Sequence, residues 1–344
     1  MPARREVLAA LGATTVAAAV PLRRARAAEV TLKLHHFLPP VSNAHRNMIE
    51  PWAKAVEAAS EGRIAVETYP SMQLGGRPPS LYDQVRDGVV DVVWTLPGYT
   101  PGRFRRIEVF ELPFLPASAE ATSQAAQRLY EEALADEFPG VRVLCVHTHG
   151  PGSFHLRDRA VRLVGDLEGL KIRAPTRVIN RTLELLGAIP VGMPVPQVPE
   201  ALSKGVVDGT VLPFEVTRPL KIHELVKYHT VFRGERGFYV ATFLFAMNRE
   251  RYESLPEDLR AVIDAHAGID LARQFGRAMD EGEKPGIAAA RERGNSFIEV
   301  AGEDLAGWIA ASQPVVEEWV AGAEGFDGAA LLARARELIA EYAG

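Results

Sequence analysis

The chain has 344 residues and a formal net charge of -5 at pH 7, and 47% of its residues are apolar. This acidic balance argues against nucleic acid or an anionic membrane surface as the partner, because both attract a basic face. Cys145 is the only cysteine, which excludes an intrachain disulfide. The length favours two hydrophobic cores over one unusually large domain.

The first segment has the pattern of an export signal. Arg4 and Arg5 precede an apolar run over residues 7–22, and Ala25-Arg26-Ala27 places small residues where a signal peptidase cleaves. The run is too short for a transmembrane helix. The arginine pair indicates the twin-arginine route, with an ordinary signal peptide as the alternative. Cleavage after Ala27 removes five Arg and one Glu, which changes the net charge from -5 to -9.

Strands and helices alternate along the next part of the chain. Apolar residues at every second position predict a strand over 30–34 that ends at residues 35–37. Helical spacing over 49–56 predicts a helix with one apolar stripe, and 64–69 reads as a second strand. Ser80 is placed to cap a short helix that closes before Gly88. This order is typical of a mostly parallel sheet with helices on both faces.

A helix–turn–strand unit occurs twice. Gly88-Val89-Val90-Asp91 follows one predicted helix, and Gly205-Val206-Val207-Asp208 follows another, 117 residues later. The repeat predicts two lobes of one design, although a four-residue match can also arise by chance. Ligands of open α/β sheets bind beyond the carboxyl ends of the strands. Two facing sheets would therefore place residues 94–99 across from Arg173 and residues 212–214, in a cleft between lobes.

Five segments in this order carry a resemblance to a known family. They are GRIAVETYPSMQLGG (62–76), DGVVDVVW (87–94), ELPFL (111–115), GLKIRAP (169–175) and ESLPEDLRAVID (253–264). Together they resemble the solute-binding proteins of TRAP transporters, the DctP-like family, over nearly the whole chain after the signal. The resemblance implies an α/β, two-lobed periplasmic binding protein fold (Venus-flytrap) with a long helix that braces both lobes.

The family also implies an organisation and partners. Lobe one would hold residues 28–150 plus about 238–280, and lobe two residues 151–237 plus about 281–344. A strand beginning near Phe238 would cross back to lobe one, and Ser254 and Pro256 would open the long helix. The protein would bind an organic acid in the periplasm, without a cofactor, and deliver it to a small and a large integral-membrane subunit.

Arg173 is the residue predicted to hold the ligand. It stands in a Lys-x-Arg strand that ends at Pro175, and the family uses the arginine of this strand to clamp a carboxylate. A guanidinium can donate two parallel charge-assisted hydrogen bonds to a carboxylate, which a lysine cannot do. The alternative is a strand-end arginine that pairs with a nearby Asp or Glu.

Departures from the family pattern indicate the kind of ligand. Ser153 stands where many relatives have a second arginine, and Phe37, Leu96 and Leu212 replace polar or acidic contacts. An apolar wall leaves the hydroxyls of a sugar acid, or a second carboxylate, without hydrogen-bond partners. The sequence therefore predicts a monocarboxylate with an aromatic or apolar body, and aromatic and branched aliphatic acids both fit.

Aromatic residues near the cleft are further candidates for its wall. Each could instead belong to a core, and alternation along residues 92–95 could turn Trp94 inward. The resemblance adds Thr176 as a polar contact, and His35 or His147 could donate a hydrogen bond. The candidates besides Arg173, Phe37, Leu96, Ser153 and Leu212 are His35, Trp94, Tyr99, Phe154, Thr176, Phe214 and Phe238.

Other classes of site have little support. Zinc needs three or four convergent ligands, and the histidines at 35, 36, 147, 149 and 155 show no such pattern. The sequence has no G-x-S-x-G elbow, P-loop or dinucleotide fingerprint. We therefore predict a binding protein without a metal and without enzymatic activity. The alternatives are a receptor of the same fold for a dicarboxylate or sugar acid, one serving an ABC importer or sensor kinase, and a periplasmic enzyme acting on organic acids.

Overall fold

The structure, a computed structural model, describes residues 28–344. The predicted export signal and its twin-arginine motif lie outside this part of the chain. The strands are β1 (Val30–His36), β2 (Ile64–Tyr69), β3 (Val92–Thr95), β4 (Val141–Thr148), β5 (Ser153–Leu156), β6 (Lys171–Ala174), β7 (Ile189–Gly192), β8 (Gly209–Leu212), β9 (Tyr228–Phe232), β10 (Thr242–Asn248) and β11 (Ser296–Val300).

Short 3-10 and π-helical turns connect these strands to the helices. The helices are α1 (Glu50–Ala59), α2 (Leu81–Arg86), α3 (Ala119–Leu129), α4 (Arg177–Leu185), α5 (Val198–Ser203), α6 (Ile222–Leu225), α7 (Arg249–Glu253), α8 (Glu257–Ala265), α9 (Ile269–Glu292), α10 (Gly302–Ala321) and α11 (Gly328–Ala343).

The first sheet has five strands in the order β2-β1-β3-β10-β4. β1 is parallel to β2 and β3, and β10 lies antiparallel between β3 and β4. The predicted alternation holds in β1, where Val30 and Leu32 are buried while Thr31 and Lys33 are exposed. β3 and β10 are buried along their whole length, which is typical of strands covered by helices on both faces.

The second sheet has six strands in the order β11-β9-β5-β8-β6-β7. β6 is parallel to β7 and β8, whereas β5 is antiparallel to β8 and β9. Pro175 and Pro213 directly follow β6 and β8 and cannot donate to a further ladder. Both strands therefore end at the same edge of this sheet, as the α/β pattern predicted.

The repeated Gly-Val-Val-Asp unit has the same structure in both sheets. The N–H of Lys33 donates to Oδ2 of Asp91 at 2.8 Å, and the N–H of Lys171 donates to Oδ2 of Asp208 at 2.8 Å. Each aspartate N–H donates in return to the carbonyl of the same lysine. The predicted repeat is confirmed, and Arg173 corresponds by position to the residue two places after Lys33.

The helix α9 joins the two sheets through its carboxylates. Asp280 accepts hydrogen bonds from the N–H groups of Ala119 and Glu120 at the start of α3, at 2.8 and 2.9 Å. One turn later, Glu283 accepts the N–H groups of the residues 214 and 215 that follow β8, both at 3.0 Å. One helix thus accepts hydrogen bonds from an element of each lobe, and it is the bracing helix that the family resemblance implied.

Two glycines of α9 allow the close packing that this bracing requires. A Cβ at Gly276 would lie 2.5 Å from the carbonyl oxygen of Ala119, and a Cβ at Gly286 would lie 2.0 Å from that of Phe214. Any side chain at these positions would push the helix away from one lobe.

Three local predictions are wrong. The long helix begins at Ile269 rather than at residues 254–256, because α8 ends first and Gly268 turns the chain with a φ of +77°. The return strand begins at Thr242 rather than near residue 238. Ser80 is already helical, so its side chain does not cap α2.

The last two helices pack on different lobes. α10 packs against α4 beside the second sheet, while α11 packs against α3 beside the first. The guanidinium of Arg334 in α11 also pairs with Glu132, with Nε and Oε2 2.9 Å apart. The end of the chain therefore lies against lobe one, although residues 281–344 were assigned to lobe two; the remaining boundaries stay predictions. None of the helices in residues 28–344 is both long and apolar enough to cross a membrane.

Candidate functional site

A narrow cavity, part of it open to solvent, lies between the two sheets. The carboxyl ends of β1 and β3 approach it from one lobe, and those of β6 and β8 from the other. Six residues that the sequence singled out line it: Phe37, Trp94, Leu96, Tyr99, Arg173 and Leu212.

Arg173 is buried, with 1% of its surface exposed. Its Nε donates to the carbonyl of Met193 at 2.9 Å, and its Nη1 donates to the carbonyl of Val211 at 3.4 Å. Its Nη2 has no hydrogen-bond partner in the described part of the chain. Burial lowers the pKa of Arg173, yet an arginine side chain stays protonated because its ordinary pKa is above 12. The site therefore presents a buried cation with one free N–H edge, and a carboxylate fits such an edge.

Two tyrosine hydroxyls lie near this guanidinium. Tyr99 accepts the N–H of Val195 at 2.9 Å, so a residue of lobe one bonds to a residue of lobe two. The hydroxyl of Tyr239 is buried without a partner in residues 28–344. Burial raises the pKa of both tyrosines, against an opposing effect of Arg173. Both hydroxyls stay protonated at neutral pH, and that of Tyr239 can donate to the same carboxylate as Nη2.

Stacked rings form one wall of the cavity. The ring of Trp94 lies 4.9 Å from that of Phe37 and 4.6 Å from that of Phe243, at interplanar angles of 26° and 9°. The indole Nε1 donates to Nε2 of His147 at 2.8 Å, which fixes the ring plane. Such a wall offers an aromatic ligand a surface for stacking, and Trp94 faces the cavity despite the predicted alternation.

His149 is a fixed neutral part of the wall. Its Nε2 accepts the N–H of Ala241 at 2.9 Å, so the ring proton is on Nδ1, which donates to the carbonyl of Gly150. Burial lowers the pKa of His149 to about 4. The imidazole therefore adds no positive charge near neutral pH.

Five predicted wall residues lie elsewhere. Phe154 and Phe238 stack on each other at 5.2 Å in the core cluster of the second sheet. Phe214 packs on the rings of histidines 155 and 229. Ser153 is paired with Leu212 in the sheet but does not reach the cavity. Nδ1 of His35 instead bonds to the side chain of Gln84, and Nε2 of His35 accepts the backbone N–H of Leu74.

Several wall residues were missed because the sequence selected their chain neighbours. Tyr239, Ala241 and Phe243 face the cavity at every second position, whereas the predicted Phe238 points to the core. Glu215 lines the cavity, next to the predicted Phe214. The sequence thus showed that side chains alternate between two faces of this segment, but not which set faces the cavity.

Thr176 and Glu111 lie beside the cavity. Thr176 lines an open groove at the cleft edge, and its buried hydroxyl has no partner in the described chain. Burial raises the pKa of Glu111 to about 8, although Oε1 accepts the N–H of Thr242 at 3.3 Å. Within residues 28–344, no three His, Cys, Asp or Glu side chains converge as metal ligands would; His36 instead bonds to His45, and His155 to His229.

Several contacts hold the lobes together across the cleft. Glu108, which precedes the buried Glu111, forms an ion pair with Arg177 at the start of α4. A Cβ at Gly98 would lie 2.4 Å from Cγ2 of Thr176. Together with the bond from Val195 to Tyr99, these contacts describe a closed arrangement of the lobes.

Comparison with known proteins decides the family. The model of the bacterial extracellular solute-binding proteins, family 7 (DctP), matches residues 34–322. This chain belongs to that family. A solved TRAP solute-binding protein from an unidentified marine microbe, specific for aromatic acid ligands and crystallised with 3-hydroxybenzoate, is 48% identical; the match covers 92% of this chain and 99% of that one, with a TM-score of 0.90.

Two further solved DctP-family structures are similar. A TRAP solute-binding protein from Rhodoferax ferrireducens T118 in complex with copurified benzoate is 46% identical, covers 91% of this chain and 98% of its own, and has a TM-score of 0.89. One from Bordetella bronchiseptica with bound (R)- and (S)-mandelate is 30% identical, with coverage of 90% and 99% and a TM-score of 0.84. The predicted family and two-lobed fold, those of TRAP periplasmic solute receptors, are confirmed.

Proposed function

We propose that this protein is the receptor of a TRAP transporter for a monocarboxylate with an aromatic body, which it binds through Arg173. The observation that carries this proposal is the buried guanidinium with a free Nη2. A buried charge without a partner is costly, and a ligand carboxylate would supply the missing hydrogen bonds and charge. The three similar proteins with benzoate, 3-hydroxybenzoate and mandelate support the same class of ligand.

The rest of the cavity favours an aromatic body over a second charged group. The carboxylate would accept hydrogen bonds from Nη2 of Arg173 and from the hydroxyl of Tyr239, both without partners in residues 28–344. The ring would then lie against the wall formed by Phe37, Trp94 and Phe243, while Leu96 and Leu212 exclude water from its edges. A monoanion leaves one cation and one anion in the cavity, and a dianion would leave one negative charge uncompensated.

Binding and release would follow from movement of the lobes. An open form exposes Arg173, and a ligand shifts the population toward the closed form only by its extra affinity for that form. Contacts between the lobes, such as that of Glu108 with Arg177, would then add to retention. We propose that the closed receptor docks on the small and large membrane subunits and binds its ligand stoichiometrically, without turnover.

We propose a periplasmic location, with removal of residues 1–27 by cleavage after Ala27. We propose that lobe one holds residues 28–150 and about 238–280, and that α11 packs on it. Lobe two then holds residues 151–237 and the chain from about 281 to the end of α10. The long helix α9 crosses between them through Asp280 and Glu283.

Isothermal titration calorimetry on the purified protein tests the proposal. The panel holds benzoate, 3-hydroxybenzoate, mandelate and isovalerate, beside succinate and glucuronate. We expect the aromatic monocarboxylates to bind most tightly. Arg173→Met keeps the volume of the buried side chain but removes its charge, and should lower affinity by about 30-fold to several thousand-fold, as for the loss of one partner of a buried charge pair.

A matched control separates the site from general electrostatics. Arg233→Met removes one positive charge from an exposed pair with Glu299 and should leave affinity unchanged. Binding of succinate or glucuronate alone would overturn the assignment of the ligand class. Wild-type affinity in Arg173→Met would overturn the role of the guanidinium.

A further inference from the structure

Glu215 has an unusual position for a carboxyl group. It lies in the turn Phe214–Val216 directly after β8, is 5% exposed and lines the ligand cavity. Its Oε2 is buried and has no hydrogen-bond partner in residues 28–344. Buried polar atoms nearly always have a partner, and those that do not require an explanation. Neither carboxylate binding at Arg173 nor the stacked rings at Trp94 accounts for this side chain.

Glu215 and Arg173 are two separate polar groups in the lining of one mostly apolar cavity. The groups that act electrostatically on Arg173 are the hydroxyls of Tyr99 and Tyr239. The group that acts on Glu215 is Glu283 of α9, whose carboxylate accepts the N–H groups of residues 214 and 215. Apolar side chains, among them Leu96 and Leu212, make up most of the remaining lining of the cavity. A ligand that fills the cavity can therefore meet a donor edge with its carboxylate and an acidic group with another part of its body.

The environment of Glu215 determines what it can bind. Burial raises the pKa of Glu215 to about 8, and the nearby carboxylate of Glu283 acts in the same direction. A protonated carboxyl both donates and accepts a hydrogen bond. A hydroxyl group, which also does both, is a suitable partner, whereas a second ligand carboxylate would meet Glu283 and Glu215 with no cation beside them. The N–H of Glu215 donates to Oε1 of Glu283 at 3.0 Å, which fixes the backbone from which this side chain projects.

We propose that Glu215 is a specificity-determining residue, which hydrogen-bonds a hydroxyl group on the body of the ligand. The receptor would then prefer hydroxy-substituted aromatic monocarboxylates to those without a hydroxyl. This inference rests on the proposed function and deepens it. A site built to bond a hydroxyl discriminates strongly against an analogue without one, because the buried polar group is then left unpaired.

Calorimetry with matched ligands tests the inference. The probes are benzoate, the three ring-hydroxylated benzoates and 3-methylbenzoate, in which a methyl group replaces a hydroxyl. We expect at least one hydroxybenzoate to bind about 10- to 100-fold more tightly than benzoate and 3-methylbenzoate. Glu215→Gln keeps a donor and an acceptor and should retain most of this preference. Glu215→Leu should bind the hydroxybenzoate only about as tightly as benzoate, because its binding of the hydroxybenzoate becomes weaker.

Controls keep the outcomes distinct. Glu111→Gln changes another buried carboxyl near the cleft, one that does not line the cavity, and should leave the preference unchanged. Retained benzoate binding shows that Glu215→Leu is folded, and should that variant not fold, Glu215→Ala, which also removes the carboxyl group, takes its place. Equal wild-type affinity for benzoate and every hydroxybenzoate, or an unchanged preference in Glu215→Leu, overturns the role of Glu215 but leaves the proposed function intact. Failure of every benzoate and of mandelate to bind overturns the proposed function itself.

Discussion

Replacing Gly98 by alanine would test whether the closed arrangement is the ligand-bound one. Gly98 lies in the turn after β3, and Thr176 directly precedes α4 in the other lobe. A Cβ at Gly98 would lie 2.4 Å from Cγ2 of Thr176 and 3.1 Å from Cδ2 of Leu96. Carbon atoms in contact are normally about 3.5–4.0 Å apart, so the first of these distances overlaps by more than 1 Å.

The cost of the clash should appear in binding rather than in folding. Overpacking a well-packed site costs about 1–3 kcal/mol, which corresponds to a loss of affinity of about 5- to 150-fold. Thr176 is on the opposite lobe, so opening the cleft removes the overlap, and the contact with Leu96 needs a shift of only a few tenths of an ångström. The melting temperature of the unliganded protein should therefore change little while the affinity falls.

Calorimetry with 3-hydroxybenzoate, alongside thermal denaturation, measures both quantities. Gly165→Ala is the matched control, because a Cβ there meets no atom within 4 Å. Adding Thr176→Ser to Gly98→Ala removes the clashing Cγ2, leaves Cβ at 3.0 Å and keeps the hydroxyl, and it should restore most of the lost affinity. Wild-type affinity in Gly98→Ala, or no recovery in the double variant, would refute the reasoning.

Three further predictions concern single side chains. Asp280→Ala should lower the free energy of unfolding in urea by about 1–3 kcal/mol, because two N–H groups of α3 lose their acceptor. The control Glu281→Ala removes one partner of an exposed ion pair and should change this free energy by less than about 0.5 kcal/mol. Burial raises the pKa of Glu111 from 4.5 to about 8, so the stability it contributes is complete below pH 4.5 and is lost as the pH rises toward 8. From pH 6 to pH 8 the free energy of unfolding, measured in urea, should therefore fall by about 2 kcal/mol less in Glu111→Gln than in the wild type. An equal fall in both proteins would show that Glu111 is already ionised in the folded wild type at pH 6. Tyr99→Phe removes the acceptor of the Val195 N–H and should weaken ligand binding about 2- to 10-fold without lowering the melting temperature of the free protein, and unchanged affinity would contradict a role for this bond in closure.

The features that the sequence predicted well are those set by local patterns. Alternation gave β1, and the repeated Gly-Val-Val-Asp unit gave the correspondence of the two lobes, because its aspartates bind backbone groups of the neighbouring strand. The strand that carries Arg173 was recognised from its own residues and from Pro175 behind it. Each of these depends on only a few consecutive residues and on the geometry of a parallel pair.

The predictions that failed concern which face of an extended segment turns toward the cavity and which turns toward a core. Phe238 and Tyr239 are both aromatic and both buried, yet the first packs in a core and the second lines the cavity. A shift of one residue reverses every side chain of an extended segment, and composition does not fix that phase. Glu215 was passed over for the adjacent Phe214 because a carboxyl group is seldom buried, and only the three-dimensional position shows that it lines an apolar cavity.

The charges in the cavity connect its specificity with closure. Among the described residues that line it, Arg173 is the only Lys or Arg, and His149 is neutral. Closing the lobes without a ligand buries an unpaired cation, which is costly. In the proposed function, a monocarboxylate would pair with that cation and make closure favourable, whereas a neutral ligand would leave the cation unpaired and a dianion would add a charge beside Glu215. Under the proposed function, the same buried arginine would select the charge of the ligand and would make the closed form depend on its presence.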